Sequence, residues 1–457
     1  MTELILGPII GGLTHERAHL WARANGPSTL HAWLGSRNDA SDARVLGKTE
    51  LRAENGYAGV VTVEGLQSGT RYFYSLGLDP DHKPSQETFR SFRTFPAPGS
   101  STDFRFAFGS CFLPFRPQPG FAFKHLMDYQ DDLAFVLMLG DQIYADNSKW
   151  NGLGHIAVSL DDYRNVYRHS WSNHHLQELL SNTPAFMIMD DHEVDNDWRF
   201  GDHARTLQRI PWLNILLRTL KGKSKEQRSL YLARLHAGLQ ANWEHQVMHG
   251  PVPLSPRGPL AYEFEYGRAA FFVLDTRTHR FIDGPRRELL GTKQWEKLES
   301  WLSHVRDTHP VKFIVSSISV LLDMYGDFTN DRWTGFKAER DRLLFFLANN
   351  GIEGVHFLAG DLHSAYAVSA NLKGPNSRAI PVWEFCSSPF EQKPYKYASL
   401  LGHPASSPAL HDQKRYFSIS AINYGVMKVN FSGENNPQVK FTLNFKKGGV
   451  WDVKTVQ

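Results

Sequence analysis

The sequence predicts a layered α/β domain preceded by a small antiparallel β-sandwich, and three observations carry that reading. The first 95 residues break into short alternating strands separated by Gly, Asn, Asp and Ser clusters. Beyond a short linker, apolar strands alternate with amphipathic helices. From Arg378 onward the strand pattern returns. A chain of 457 residues, 41% hydrophobic and 21% charged, can bury at least one large core. That composition excludes a disordered chain, a collagen or a small disulfide scaffold.

The N-terminal strands are expected at Ala18 to Arg23, Leu30 to Leu34, Tyr57 to Val63, Arg71 to Leu78 and Phe89 to Phe95, with Leu6 to Ile10 as the first. Within them, the run from Leu66 to Tyr72 resembles the tyrosine corner of fibronectin type III domains, in which a Tyr hydroxyl bonds back to the backbone and fixes a crossover between sheets. The segment Pro96 to Asp103 reads as a linker, dividing the chain into a β-sandwich at 1–96 and a catalytic domain at 104–457. In that second part, strands are expected at Phe104 to Gly109, Ala134 to Leu139, Ala185 to Met189, Ala261 to Tyr266, Ala270 to Leu274, Val311 to Ser316 and Gly354 to Leu358. Helices are expected at Phe121 to Tyr129, Gln294 to Val305 and Glu339 to Asn349, with one or two more between Lys223 and His249. The closing strands, Ile380 to Phe385, Phe417 to Ile422, Val426 to Phe431 and Val439 to Phe445, are expected to complete a second sheet.

Charge and composition narrow the function classes. Fifty Lys and Arg against 47 Asp and Glu leave a net charge of +3, too little for a basic nucleic-acid footprint. The basic run Lys221 to Lys225 reads as a solvated face or a local anion attractor. No apolar run approaches the 18 or so residues of a membrane span, and no obligate protein partner is implied. The N-terminus lacks a basic region, a long apolar segment and a small-residue cleavage site, so a cytoplasmic protein is expected, or a periplasmic one if the chain is a processed form. Two cysteines, Cys111 and Cys386, build no disulfide framework.

Four polar clusters each follow a buried-type strand, the edge at which α/β sheets place their ligand sites. Gly109-Ser110-Cys111 offers a thiol, either a small buried hydrophobe or a ligand in need of partners. Gly140-Asp141-Gln142-Ile143-Tyr144 places a carboxylate and a phenol one turn of backbone apart; it reads either as a cap with a core tyrosine or as a pair of hard anionic donors suited to ferric iron. From Asp190 to Asp197, five carboxylates and an imidazole crowd eight positions, a density that needs cations or hydrogen bonds. Asp191 is the candidate ligand there and His192 the candidate general acid, the alternative being an exposed acidic loop. Gly360-Asp361-Leu362-His363 sets two donors at a spacing that points them the same way in an extended segment, or supplies a structural Asp and a capped His.

With these clusters in this order, the chain resembles the PhoD-type alkaline phosphatases, a branch of the calcineurin-like metallophosphoesterase superfamily. Tyr163 to Arg168, Leu274 to Arg277, Asp331 to Phe336, Ser387-Ser388-Pro389 and Asn423-Tyr424-Gly425 extend the resemblance over essentially the whole chain. It implies a layered α/β metallophosphoesterase sandwich behind a fibronectin- or immunoglobulin-like β-sandwich. It implies further that Asp141 bridges metals, that Tyr144, Cys111 and His363 hold ferric iron, and that Asp191 and Asp361 hold a second ion, calcium or another divalent cation. Gly109-Ser110-Cys111 stands where the wider superfamily has an Asp-x-His signature, a departure the PhoD branch shares.

The expected function is hydrolysis of small phosphate monoesters or diesters by a metal-activated water, with Asp141 and His192 in catalysis. Arg164 and Arg168 read either as bidentate donors to substrate phosphate, Arg168 then also acting in catalysis, or as surface arginines on a helix. Trp198, Trp333 and Phe336 read as pocket walls or core, Asp275 and Arg277 as site residues or a structural ion pair, and Cys386 as packing. Substrate choice is expected from loops such as Asn147 to Asp161 and Met324 to Arg332. The alternative from another class is a non-catalytic ligand-binding or adhesion protein on a phosphatase-derived scaffold. A structural calcium loop at Asp190 to Asp197 leaves Cys111, Tyr144 and His363 unexplained and lacks EF-hand spacing.

Overall fold

The computed structural model describes residues 2–113, 120–128, 133–198, 224–283, 285–324, 331–374, 378–398, 402–431 and 437–456, and the chain is mixed α/β. Its first seven strands are β1 (Leu4–Gly11), β2 (Arg17–Ala24), β3 (Ser28–Gly35), β4 (Arg44–Leu51), β5 (Ala58–Glu64), β6 (Arg71–Gly77) and β7 (Arg90–Arg93). They form two antiparallel sheets, β1-β2-β5 and β4-β3-β6-β7. Strand β4 escapes a reading by apolar alternation because all but its last residue are exposed or half-buried, as suits a sheet edge. The Tyr72 hydroxyl accepts the Gln67 N–H at 2.9 Å, the bond that the Leu66 to Tyr72 run predicts.

Beneath the Pro96 to Asp103 segment the apolar core is continuous. Phe95 packs on Phe135, Phe186 and Tyr266, with ring centroids 5.7, 6.0 and 4.9 Å away. These rings belong to two larger sheets. One is built from β8 (Phe104–Gly109), β9 (Leu133–Leu139) and β10 (Ala185–Ile188), all parallel. The other centres on four parallel strands, β12 (Ala269–Val273), β15 (Val311–Val315), β17 (Val355–Ala359) and β19 (Ile380–Cys386), with β11 (Tyr262–Tyr266) antiparallel at one edge. Strands β13 (Phe281–Asp283) and β14 (Arg286–Glu288) form a separate hairpin, and β16 (Leu322–Met324) pairs with β20 (Gly402–Pro404). The two large sheets meet through aromatic side chains. Phe264, Phe271 and Phe313 stack along one sheet at 4.5 and 4.8 Å, and Phe106 of the other meets Phe313 edge-on at 5.2 Å.

The closing strands do not complete one sheet as expected. Strands β18 (Ala365–Leu372) and β21 (Leu410–Ile419) extend the second large sheet, giving the order β11-β12-β15-β17-β19-β18-β21. Strands β22 (Asn423–Asn430), β23 (Gln438–Lys447) and β24 (Val450–Val456) instead join the first, in the order β10-β9-β8-β22-β23-β24. Val426 and Met427, which share a run with no turn signal, pair there with Ala107 and Phe106.

Helices α1 (Phe121–Leu126), α2 (Leu160–Trp171), α3 (His174–Asn182), α4 (Ser224–Asn242), α5 (Gly291–Val305) and α6 (Lys337–Asn349) accompany the sheets. Helix α2 begins at a capping box, in which Ser159 and Asp162 satisfy each other's backbone N–H. A π-helical turn, Trp243–Val247, follows α4. No helix among the described residues is long and apolar enough to cross a membrane. The basic run Lys221 to Lys225, the end of the helix expected to reach Tyr129 and the loop centre 325–330 lie outside the residues, or the side chains, that are described.

Candidate metal centre

Seven loops at the carboxyl ends of parallel strands converge here: those after β8, β9 and β10 from one sheet, and after β12, β15, β17 and β19 from the other. Two glycines allow the close approach. Gly140 has φ +100°, and a Cβ there would collide with Asp190; a Cβ on Gly360 would lie 2.6 Å from the Ser110 hydroxyl. Four of the expected ligands are themselves left-handed: Cys111 at φ 64°, Asp141 at 55°, Asp361 at 61° and His363 at 51°. A non-glycine residue in that region costs about 1–3 kcal/mol, and such strain clusters at functional sites.

Asp141 stands at the middle. One set of donor atoms within 4.8 Å of one another comprises Cys111, Asp141 and His363; a second comprises Asp141, Asp190, Asp191 and Asp361; a third comprises Asp141, Asp191 and His192. Tyr144 belongs with the first set, its hydroxyl lying 3.2 Å from Asp141 Oδ2 and 3.1 Å from His363 Nε2. The Cys111 thiol is 3.3 Å from the same Asp141 oxygen. Two serines hold these donors in place. Ser110 Oγ accepts the Asp361 N–H at 2.9 Å, and Ser388 Oγ accepts the His363 N–H at 3.1 Å while lying 3.3 Å from Cys111 Sγ.

The carboxylate-rich side is held by Glu193 and by arginines. Glu193, fully buried, accepts the backbone N–H groups of Asp141, Gln142 and Asp190 at 3.1, 2.7 and 2.9 Å, so one side chain ties the β9 loop to the β10 loop. Arg277 is fully buried, donates to Asp190 and to Asp331, the latter at 2.6 Å, and has Nη2 3.6 Å from Asp191. It makes no side-chain pair with Asp275, whose carboxylate accepts the Leu260, Arg277 and Thr278 backbone N–H groups instead. Arg332 lies 2.6 Å from Asp361 Oδ2. His192 gives Nδ1 to Asp146 at 2.7 Å and lays its ring 4.2 Å from that of Tyr144.

Burial and charge set the protonation states. Burial, then the charges of Asp141 and Asp361, push the Cys111 thiol well up; burial, then Asp141 and Cys111, do the same to the Tyr144 phenol. Burial likewise raises Asp141 well above the carboxylate range although His192 opposes it, and takes Asp190 up to about 8 against the pull of Arg277. Burial would raise Asp191 too, but Arg277 and His192 hold it below the usual range. His363 is lowered to about 3 by burial, then by His192 and Arg332, so its imidazole is neutral and has a lone pair to offer a cation. Burial also opposes the charged form of His192, yet Asp146, Asp191 and Asp141 together raise it well above the ordinary value.

These donors fit cations. Asp190 Oδ2 and Asp191 Oδ1 are buried without a hydrogen bond, and a thiol and a phenol face a carboxylate oxygen with no cationic side chain between them. Sulfur, phenolate and imidazole suit a strongly Lewis-acidic transition metal, and an all-carboxylate set suits a hard divalent ion.

Of the residues singled out in the sequence, Cys111, Asp141, Tyr144, Asp191, His192, Asp361 and His363 come together, and Arg164 and Arg168 do not. Arg164 spends its guanidinium on Glu244 at 2.6 Å and on the Glu54 carbonyl at 3.2 Å, bracing α2 against the N-terminal strands. Arg168, one turn on, is exposed on that same side, close to Arg23. The arginines that do enter the site are Arg277 and Arg332. Both lie in the family-like stretches already quoted, where a turn hides which carboxylate each will meet. Trp198, Trp333 and Phe336 are buried as core, and Cys386 is fully buried.

A scan against protein families matches the PhoD-like phosphatase description over residues 106–441. Alkaline phosphatase D of Bacillus subtilis (strain 168) is 28% identical over 342 residues, 67% of this chain and 53% of that protein, so the chain spans about half the length of this curated relative. In fold, the chain is similar to a solved PhoD structure, with a TM-score of 0.73 and 19% identity over 99% of this chain and 88% of that one. It is also similar to the purple acid phosphatase PPD1 from yellow lupin (Lupinus luteus) seeds, with a TM-score of 0.62 and 14% identity over 98% and 73% of the two chains. The family match takes in all four polar clusters and most of the chain: this protein belongs to the PhoD-like phosphatase family.

Proposed function

We propose that the chain is a metal-dependent phosphoric ester hydrolase acting on small phosphate monoesters or diesters. The observation that carries the reading is the position of Asp141, one carboxylate shared between a Cys-Tyr-His donor set and a carboxylate set. In this reading Cys111, Tyr144 and His363 hold ferric iron with Asp141, while Asp191 and Asp361 hold a second cation, calcium or another divalent ion. When bound, such a pair supplies Lewis acidity toward phosphoryl oxygens and acidifies a water for attack at phosphorus. The remaining work falls to the chain. His192, kept protonated by Asp146, gives a proton to the departing ester oxygen from the ring nitrogen that Asp146 leaves free. Arg332, beside Asp361, takes the phosphate-binding part first expected of Arg164 and Arg168. The two N-terminal sheets make a fibronectin-like sandwich over residues 1–96, ahead of a catalytic unit at 104–457.

Elemental analysis of protein purified without chelator, paired with hydrolysis of an aryl phosphate monoester and diester, tests this. The expected result is iron with a second metal near stoichiometry and turnover abolished by chelation. Metal-free protein that hydrolyses neither ester after reconstitution with iron and calcium would sink the proposal.

A further inference from the structure

A cavity of about 830 Å³ opens beside the Cys111, Tyr144 and His363 side of the centre. Its wall is continuous with the centre at three places. Leu113 packs with Cys111 and Tyr144, Gln392 hydrogen-bonds the Tyr144 phenol, and the Lys393 backbone bonds His363. The lining has two characters. Two aromatic side chains there, Phe121 and Trp150, are each 38% exposed. Lys393, Lys446 and Lys447 surround the same space. The acidic side chain in the lining, Glu391, is turned away into the start of α1, where its carboxylate accepts the Ala122 N–H at 3.0 Å and is held as well by the N–H groups of Gly120 and Phe121. Lys446 lies 3.6 Å above the Phe121 ring.

We propose that this cavity receives the organic part of the substrate, and that the preferred ester joins a flat apolar ring to a second anionic group. The proposal rests on the hydrolase reading. The ring packs against Trp150 and Phe121, and the second anion is met by Lys393 and Lys447. A plain alkyl phosphate reaches the centre without filling the cavity.

Three esters separate these contributions: methyl phosphate, 1-naphthyl phosphate and 4-sulfo-1-naphthyl phosphate. Each has the same intrinsic reactivity in every variant, so changes in the ratios of kcat/KM report the cavity alone. In the double variant Lys393→Ala/Lys447→Ala, the sulfonated-to-plain naphthyl ratio should fall at least about tenfold, carried by KM. In Trp150→Ala, the naphthyl-to-methyl ratio should fall by a similar factor. Ratios within about twofold of the parent in both variants overturn the cavity proposal and leave the hydrolase standing. If the metal-loaded protein hydrolyses none of the three and no aryl phosphate diester either, the hydrolase reading fails. The cavity is then judged by equilibrium dialysis with 1-naphthol-4-sulfonate, and binding equal in parent and double variant refutes it.

Discussion

The two sides of Asp141 are made from the same kind of loop and are held in opposite ways. On the carboxylate side, Arg277 is buried among Asp190, Asp191 and Asp331, and Arg332 pairs with Asp361. On the other, Cys111, Tyr144 and His363 hydrogen-bond hydroxyls, each other, Asp141, the Gln392 side chain and the Lys393 backbone. The first side carries its own positive charge and keeps its shape as a salt-bridge network. The second is assembled as neutral acids, and its anionic form depends on a cation from outside. The difference teaches that one half of the centre is part of the fold and the other half is completed by what it binds.

Substitutions on each side should therefore fail differently. Asp141→Asn, which touches both, should lower kcat/KM by about a thousandfold or more and lose metal by elemental analysis, while urea unfolding shows a folded chain; normal turnover would remove Asp141 from the shared position. Arg277→Met should cost about 3–5 kcal/mol of stability even after chelation, because it leaves buried carboxylates unpaired; unfolding unchanged from the parent would show that the network does not hold the fold. Tyr144→Phe should leave stability within about 1 kcal/mol, abolish any visible phenolate-to-iron absorption and lower activity about 10- to 100-fold. A colour that survives would take Tyr144 out of the ligand set.

The smallest effect comes from a buried carboxyl outside the centre. Glu384 is fully buried, accepts the Tyr366 hydroxyl and the Val320 N–H, and is pushed by burial up to about 7 from an ordinary 4.5. A raised carboxyl favours its neutral form in the fold. Its stabilising contribution is therefore full below pH 4.5 and is lost as pH rises through about 7, by at most about 1.4 kcal/mol per pH unit. Glu384→Gln should flatten that slope in urea titrations between pH 4.5 and 7. An identical slope in parent and variant would show that Glu384 ionises as it does in water.

Much of this centre was legible because its loops follow strands that announce themselves. Leu133 to Leu139 is apolar on both faces, Phe104 to Gly109 is broken only by Arg105, and Gly140 and Gly109 stand between these runs and the donors. What the donors meet was harder to read. Arg164 and Arg168 share an α2 face, and helical spacing shows that two side chains point together without showing toward what. Arg277 and Arg332 sit in turns, where no periodicity exists, and their partners come from distant loops. Strand β24 escaped for the same reason as β4: its side chains are mostly exposed, so the apolar alternation that marks a strand is missing.

Strand β22 sets the order in which the molecule can be finished. Phe108, three residues before Cys111, is paired on one side with Leu137 of nearby β9 and on the other with Gly425, roughly three hundred residues further along the chain. Loop closure over that distance makes such contacts slow to form. During synthesis the loop bearing the thiol has its near neighbour early and its far neighbour late, while His363 and Ser388 must also emerge first. In refolding followed by hydrogen exchange, the amides that join β8 to β22 should gain protection together, and after those that join β8 to β9. A nascent chain then carries scattered donors through the cell and gains a pocket able to select its ions only near the end of its own making.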